Sequence, residues 1–251
     1  MATATVFNRL NPAQRAAARF GQRDESGDFR AGPLLIIAGA GTGKTNALAH
    51  RVAHLVLEGV RPERILLLTF TRRAAQEMTR RAQQIVAAAL GARAGEQGLA
   101  DAPAVRLPWS GTFHSIANRL IRRHAARVGL DPNFSVLDRG DAADLMDVVR
   151  HDLGFSRAEQ RFPRKDTCLA IYSHRVNTQR PLADTLASQY PWCAQWAEEL
   201  ARLFRAYVER KLANQALDYD DLLLYWQAMA PEAMLAEDMS RQSDHLLVDE
   251  N

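Results

Sequence analysis

The stretch Leu34 to Thr45, Leu-Leu-Ile-Ile-Ala-Gly-Ala-Gly-Thr-Gly-Lys-Thr, constrains this chain more than any other. Its apolar run, Leu34 to Ile37, has the length of a buried strand and is too short for a helix. Gly39, Gly41 and Gly43 follow at alternating positions, so the backbone can turn tightly and close its N–H groups around a phosphate. Lys44 supplies a point charge for terminal phosphates, and the Thr45 hydroxyl stands where it can ligate Mg²⁺. Asn46 to Glu58 has a helical pattern, which would place the phosphate at a helix N-terminus. Ala38 occupies a position where the pattern usually has glycine. A glycine-rich turn with an incidental lysine would share single features of this stretch. It would not reproduce strand, glycines, Lys-Thr and helix in order. Ala38, Gly39, Ala40, Gly41, Thr42, Gly43, Lys44 and Thr45 are therefore read as a nucleotide-binding loop.

A chain of 251 residues can bury a sizeable core, as one large domain or two small ones. It contains no apolar run of membrane-spanning length and no signal-peptide pattern. Cys168 and Cys193 have no metal-ligand spacing, which points to a reducing, cytoplasmic setting. Charge is unevenly distributed. Met1 to Leu130 holds 19 Lys and Arg against 8 Asp and Glu, and the remainder 13 against 21. A basic half of this kind suits a polyanion.

Asn11-Pro12 starts a helix expected to stop at Gly21. Gln14, three residues past the cap, either completes a capping box or reads a nucleotide base. Gln22 to Gly32 reads as a surface loop. His50 and His54 lie one turn apart on the helix after the phosphate loop and are expected to be solvated. Ile65 to Thr69 is a second buried strand, followed by a helix from Arg72 to about Leu90. Phe70, beside Arg72 and Arg73, is either a base-stacking aromatic or a core residue. Gly91 to Pro108 reads as a flexible insertion.

Ser110 to Ser115 leads into a helix through Val128 that carries Arg119, Arg123 and Arg127 on one stripe. No acidic residue interrupts Leu107 to Leu130, and cations at this density suit a phosphate backbone. Asp131 to Leu212 reads as helical with short breaks at Pro132, Gly154, Pro163, Pro181 and Pro191 and no strand, with Trp192, Trp196, Leu200, Leu203, Phe204 and Tyr207 as a core stripe. Ala216 to Met229 is a helix with Asp218, Asp220 and Asp221 at its positive end. His245 to Glu250 is a short strand ending in two carboxylates. Beside a phosphate loop, Asp249 would hold Mg²⁺ and Glu250 would polarise the attacking water.

These segments together resemble the N-terminal part of superfamily 1 DNA helicases of the UvrD/Rep/PcrA kind. Leu10 to Arg15 resembles the Q motif, Ala38 to Thr45 motif I, and Thr69-Phe70-Thr71 with Ala74-Ala75 and Glu77-Met78 motif Ia. Gly111 to Ser115 resembles the next DNA-contacting motif, and Leu246 to Glu250 the start of motif II. Leu217 to Leu222 matches a segment these helicases carry before motif II. Arg72-Arg73 departs from the family's usual Asn-Lys.

The resemblance implies an α/β fold, a P-loop RecA-like parallel sheet with a helical insertion. Residues 1–112 and 213–251 would form the RecA-like domain, and 113–212 the insertion. It implies ATP and Mg²⁺ as cofactors, with Gln14 contacting adenine, Lys44 and Glu250 catalytic, and Thr45 and Asp249 at the metal. Phe70, Arg72, Thr112, Phe113, His114, Arg119 and Arg123 would contact DNA. The partners would be single-stranded DNA and duplex junctions, and the activity ATP-driven 3′ to 5′ translocation. The matched part ends at motif II, before the second RecA-like domain and the arginine fingers. These 251 residues alone are thus expected to bind nucleotide and DNA without unwinding. A non-motor binding protein and an unrelated P-loop kinase are the competing readings, and the kinase leaves Thr112-Phe113-His114 and the arginine stripe unexplained.

Overall fold

The computed structural model describes residues 6–39, 41–97, 106–155 and 162–249. The chain forms two compact units, Met1–Ile116 with Glu232–Asn251, and Ala117–Pro231. No helix among the described residues is long and apolar enough to cross a membrane.

The first unit begins with helix α1 (Pro12–Ala18), then β1 (Gln22–Arg23) and β2 (Phe29–Arg30). Helix α2 (Lys44–Leu57), strand β3 (Ile65–Thr69), helix α3 (Arg72–Gln97) and strand β4 (Ser110–Thr112) follow. The sheet is parallel, ordered β4–β3–β7, with β7 (His245–Asp249) drawn from the far end of the chain. Central β3 is apolar along most of its length, as suits a parallel strand buried on both faces. Its Ile65 and Leu67 pack with Leu48, Val52 and Leu55 of α2, Met78 of α3 and Leu247 of β7.

Several expectations change here. Leu34 to Ile37 forms no strand and is open to solvent, with Leu35 82% and Ile37 88% exposed. Apolar character favours burial, but a strand also needs a neighbouring backbone, and none of the described strands pairs with this run. Gln22 to Gly32 contains an antiparallel hairpin, whose turn is closed by Asp24 accepting from the N–H groups of Ser26 and Asp28. His50 and His54 are buried, because α2 is covered on almost every side from Ala47 to Leu57. Phe7 meets both rings edge-on at 5.8 Å, and Phe29 meets His54 at 5.2 Å. Burial pushes the His54 imidazole down to about 4. Helix α3 continues through Gly91 to Gln97, past the expected end near Leu90; residues 98–105 lie outside the described part.

The division between units falls within helix α4 (Phe113–His124). The second unit then carries β5 (Ser135–Val136), α5 (Arg139–Asp152), α6 (Lys165–Thr178), α7 (Leu182–Gln189), α8 (Ala197–Ala213), β6 (Ala216–Leu217) and α9 (Tyr219–Met229). The return to the first unit includes α10 (Ala233–Gln242). Strands β5 and β6 pair in parallel, so Asp131 to Leu212 is not wholly helical and α9 starts later than the pattern suggested. Leu200, Leu203, Phe204 and Tyr207 enter the core, whereas Trp192 is 67% exposed. Trp192 sits in a 3₁₀ segment, Pro191–Trp196, whose tighter winding takes it off the α-helical stripe.

Asp218 and Asp221 do more than face a helix dipole. They form a capping box on α9, and both accept from the buried Lys211 ammonium at 2.6 and 2.5 Å. Tyr207 donates to Asp218 at 2.9 Å. Burial opposes the Lys211 charge, but the two carboxylates outweigh it and hold the ammonium's pKa above its ordinary value.

Candidate functional site

The loop between Ala38 and Lys44 is built from its own polar groups. Gly43 is the N-cap of α2 at φ +87°, a conformation that favours glycine. No side chain caps the helix there, and its first turn holds no acidic residue. Such a terminus, with N–H groups uncapped by a side chain and a lysine in the first position, suits an anion. Thr42 donates its hydroxyl to the Gly39 carbonyl at 2.7 Å. The Lys44 ammonium donates to the carbonyls of Ala38 at 2.8 Å and Gly39 at 3.3 Å. Ala40 lies outside the described residues.

Gln14 meets this loop from upstream. Its amide oxygen accepts from the Asn11 N–H at 3.1 Å, and the Asn11 side chain accepts from the Gln14 N–H at 2.9 Å, completing a capping box. Its amide nitrogen donates to the Thr42 carbonyl at 2.8 Å. One side chain therefore finishes a helix start and ties it to the loop, a link that local sequence could not disclose.

At the other side of the loop, Thr45 donates to the Asp249 carboxylate at 3.1 Å across 204 positions of sequence. Asp249 is buried at the end of β7. A hydroxyl and a carboxylate are two hard oxygen donors. They fit Mg²⁺, which keeps several waters and takes one or two protein oxygens with substrate phosphates. Among the described residues no group of three or more His, Cys, Asp or Glu could hold a metal, so an all-protein cage of the zinc type has no counterpart there. Glu250 lies outside the described residues.

The strand register extends this corner along the sheet. Thr69 of β3 stands opposite Thr112 of β4 on one side and Asp249 on the other. All three are buried in one row at the strands' C-terminal ends, where open α/β sheets bind ligands. Phe70 follows directly and is 73% exposed, which decides its environment in favour of solvent. Arg72 is exposed at the first position of α3. The Thr112 hydroxyl accepts from the Ser115 N–H at 3.2 Å, and Phe113 and His114 are half-buried beside it. Gln14, Lys44, Thr45, Asp249, Phe70, Arg72, Thr112, Phe113 and His114 all belong to the first unit.

Arg119 and Arg123 belong to the second unit, where both are exposed. Their neighbour Arg122 is occupied structurally. It donates to the Pro132 and Phe134 carbonyls at 2.7 and 2.9 Å and lies 4.2 Å over the Phe134 ring. Thr69 stands in the segment that resembles motif Ia and at the end of an apolar strand, but sequence reasoning gave it no site role.

The model of the UvrD/REP helicase N-terminal domain matches residues 11–251. The chain is 34% identical over 256 aligned positions to the ATP-dependent DNA helicase PcrA of Leuconostoc citreum, covering 100% of this chain and 30% of that protein. It is 32% identical over 222 residues to the PcrA of Staphylococcus aureus, covering 87% and 26%. For the PcrA of Bacillus subtilis the identity is 31% over 220 residues, with coverage of 87% and 26%. The chain thus spans about a quarter to a third of the length of these relatives.

Proposed function

Because the chain belongs to the UvrD/REP helicase N-terminal domain family, we propose that it binds and hydrolyses ATP in service of 3′ to 5′ movement along single-stranded DNA. The fold would be a P-loop, RecA-like sheet formed by residues 1–112 and 213–251, with 113–212 as the helical insertion. The observation that carries the reading is the Thr45–Asp249 contact at 3.1 Å, which joins the start of α2 to a carboxylate 204 positions away.

The family resemblance supplies the roles, and the donors present are compatible with them. The Lys44 ammonium exchanges the Ala38 and Gly39 carbonyls for the oxygens of the β- and γ-phosphates. Backbone N–H groups at the start of α2 hold the same phosphates. Gln14 turns its amide from the Thr42 carbonyl to the adenine edge. Thr45 and Asp249 would hold Mg²⁺, whose charge would stabilise the transferring phosphoryl group. Glu250 orients the attacking water and accepts its proton. Phe70, Thr112, Phe113 and His114 line the path of single-stranded DNA. Phe70 offers an aromatic face to a base, while Arg72, Arg119 and Arg123 neutralise phosphates. Duplex junctions are the natural substrate, and the cytoplasm the natural location.

ATP turnover by the purified chain, with and without oligo(dT), tests this reading. Turnover that rises with oligo(dT) and disappears in Lys44→Ala supports it. Binding of DNA and a fluorescent ATP analogue without turnover would favour the non-motor reading. ATP consumption indifferent to DNA would favour a P-loop kinase.

A further inference from the structure

A two-residue bend, Phe70-Thr71, joins the end of β3 to the start of α3. An exposed ring in so short a connection gets its orientation from the backbone, and the hydrogen bonds there are specific. The buried Thr69 hydroxyl donates to the Thr71 carbonyl at 3.0 Å. That same carbonyl accepts from the Ala75 N–H at 3.0 Å, and the Thr71 hydroxyl accepts from the Ala74 N–H at 3.1 Å. Thr71 is thus gripped from two sides, by the first turn of α3 and by the row of the sheet that ends in Asp249. Phe70 lies between the grips.

The geometry points to Thr69 as a positioning residue. Its hydroxyl sets the bend that presents Phe70 to a base, and its place beside Asp249 fixes that ring relative to the Thr45–Asp249 pair. It does not touch DNA or nucleotide itself. The inference rests on the DNA path proposed above. A threonine that merely satisfies its own hydroxyl in the core would affect stability, but it would have no energetic coupling to Phe70.

A double-mutant cycle separates the two, read as anisotropy of fluorescein-labelled oligo(dT). Phe70→Ala should weaken binding roughly five- to 150-fold, the equivalent of one lost base stack. Thr69→Val keeps the shape and removes the donor. It should weaken binding roughly two- to tenfold, the scale of one net hydrogen bond. In the Phe70→Ala background the same valine should change affinity by less than about twofold. Thr69→Ser should bind as the parent does, and affinity for a fluorescent ATP analogue should be unchanged in Thr69→Val.

Equal losses from Thr69→Val in both backgrounds, or none in either while Phe70→Ala weakens binding, overturn the positioning role. Parallel loss of nucleotide affinity overturns it too. A silent Phe70→Ala instead refutes the DNA path on which the inference rests. Should Thr69→Val fail to fold, as judged by circular dichroism, Thr69→Ala completes the same cycle with the same outcomes.

Discussion

Replacing Gly43 by alanine tests whether Gln14 braces the glycine-rich loop before α2. The residue sits at φ +87°, and a left-handed conformation costs a non-glycine residue roughly 1–2 kcal/mol. A Cβ there would also come within 2.7 Å of the Gln14 amide nitrogen. Gln14 can swing away, but it then gives up its 2.8 Å bond to the Thr42 carbonyl, worth about 1 kcal/mol net. The expected loss is roughly 2–3 kcal/mol from these two contributions. Gly41 provides the control. It sits at φ +75° with nothing within 4 Å of its would-be Cβ, so alanine there carries only the backbone cost of roughly 1–2 kcal/mol. Urea unfolding without nucleotide, with m-values compared, measures both. Introducing Gln14→Ala should erase most of the difference between the two glycine variants. Equal costs at Gly41 and Gly43, unaltered by Gln14→Ala, would refute the brace.

Three other outcomes can be measured. Lys211→Met should destabilise the second unit by about 3–5 kcal/mol, because it leaves two buried carboxylates without their cation; a variant as stable as the parent in urea would show the pair to be dispensable. The parent's Lys211 contribution should be complete below the lysine's ordinary value of 10.5 and fade as pH rises through its higher folded value, which alkaline unfolding can follow. His54 titrates near 4 when folded against 6.5 for the free side chain, so its contribution is complete above 6.5 and is lost as pH falls toward 4. The loss is on the order of 3 kcal/mol, and His54→Leu should flatten that part of the stability curve; an unchanged slope there would show that His54 does not govern it. Arg123→Ala should lower the slope of log affinity against log salt for oligo(dT) by about 1, whereas Phe70→Ala should leave the slope alone. Identical slopes for the two would place Arg123 away from the phosphates.

Residue type and short spacing determined much of the local chemistry. Asn11, Pro12 and Gln14 specify a helix start whose capping box is present, and Gly41, Gly43 and Lys44 specify a turn into a helix. The apolar segments Ile65–Thr69 and His245–Asp249 form strands, as their composition favours. What depended on tertiary structure was everything set by partners beyond the reach of local periodicity and capping. Leu34 to Ile37 has a strand's composition, but its ladder needs a neighbouring backbone, so composition alone could not make it one. His50 and His54 have polar side chains, yet they are buried because α2 is packed on nearly all sides. Asp218 and Asp221 look like ordinary helix-start carboxylates until the fold brings Lys211 between them. The contact of Thr45 with Asp249 belongs to the same class. Periodicity and capping act over a few residues, whereas a parallel sheet sets side by side residues that lie far apart along the chain.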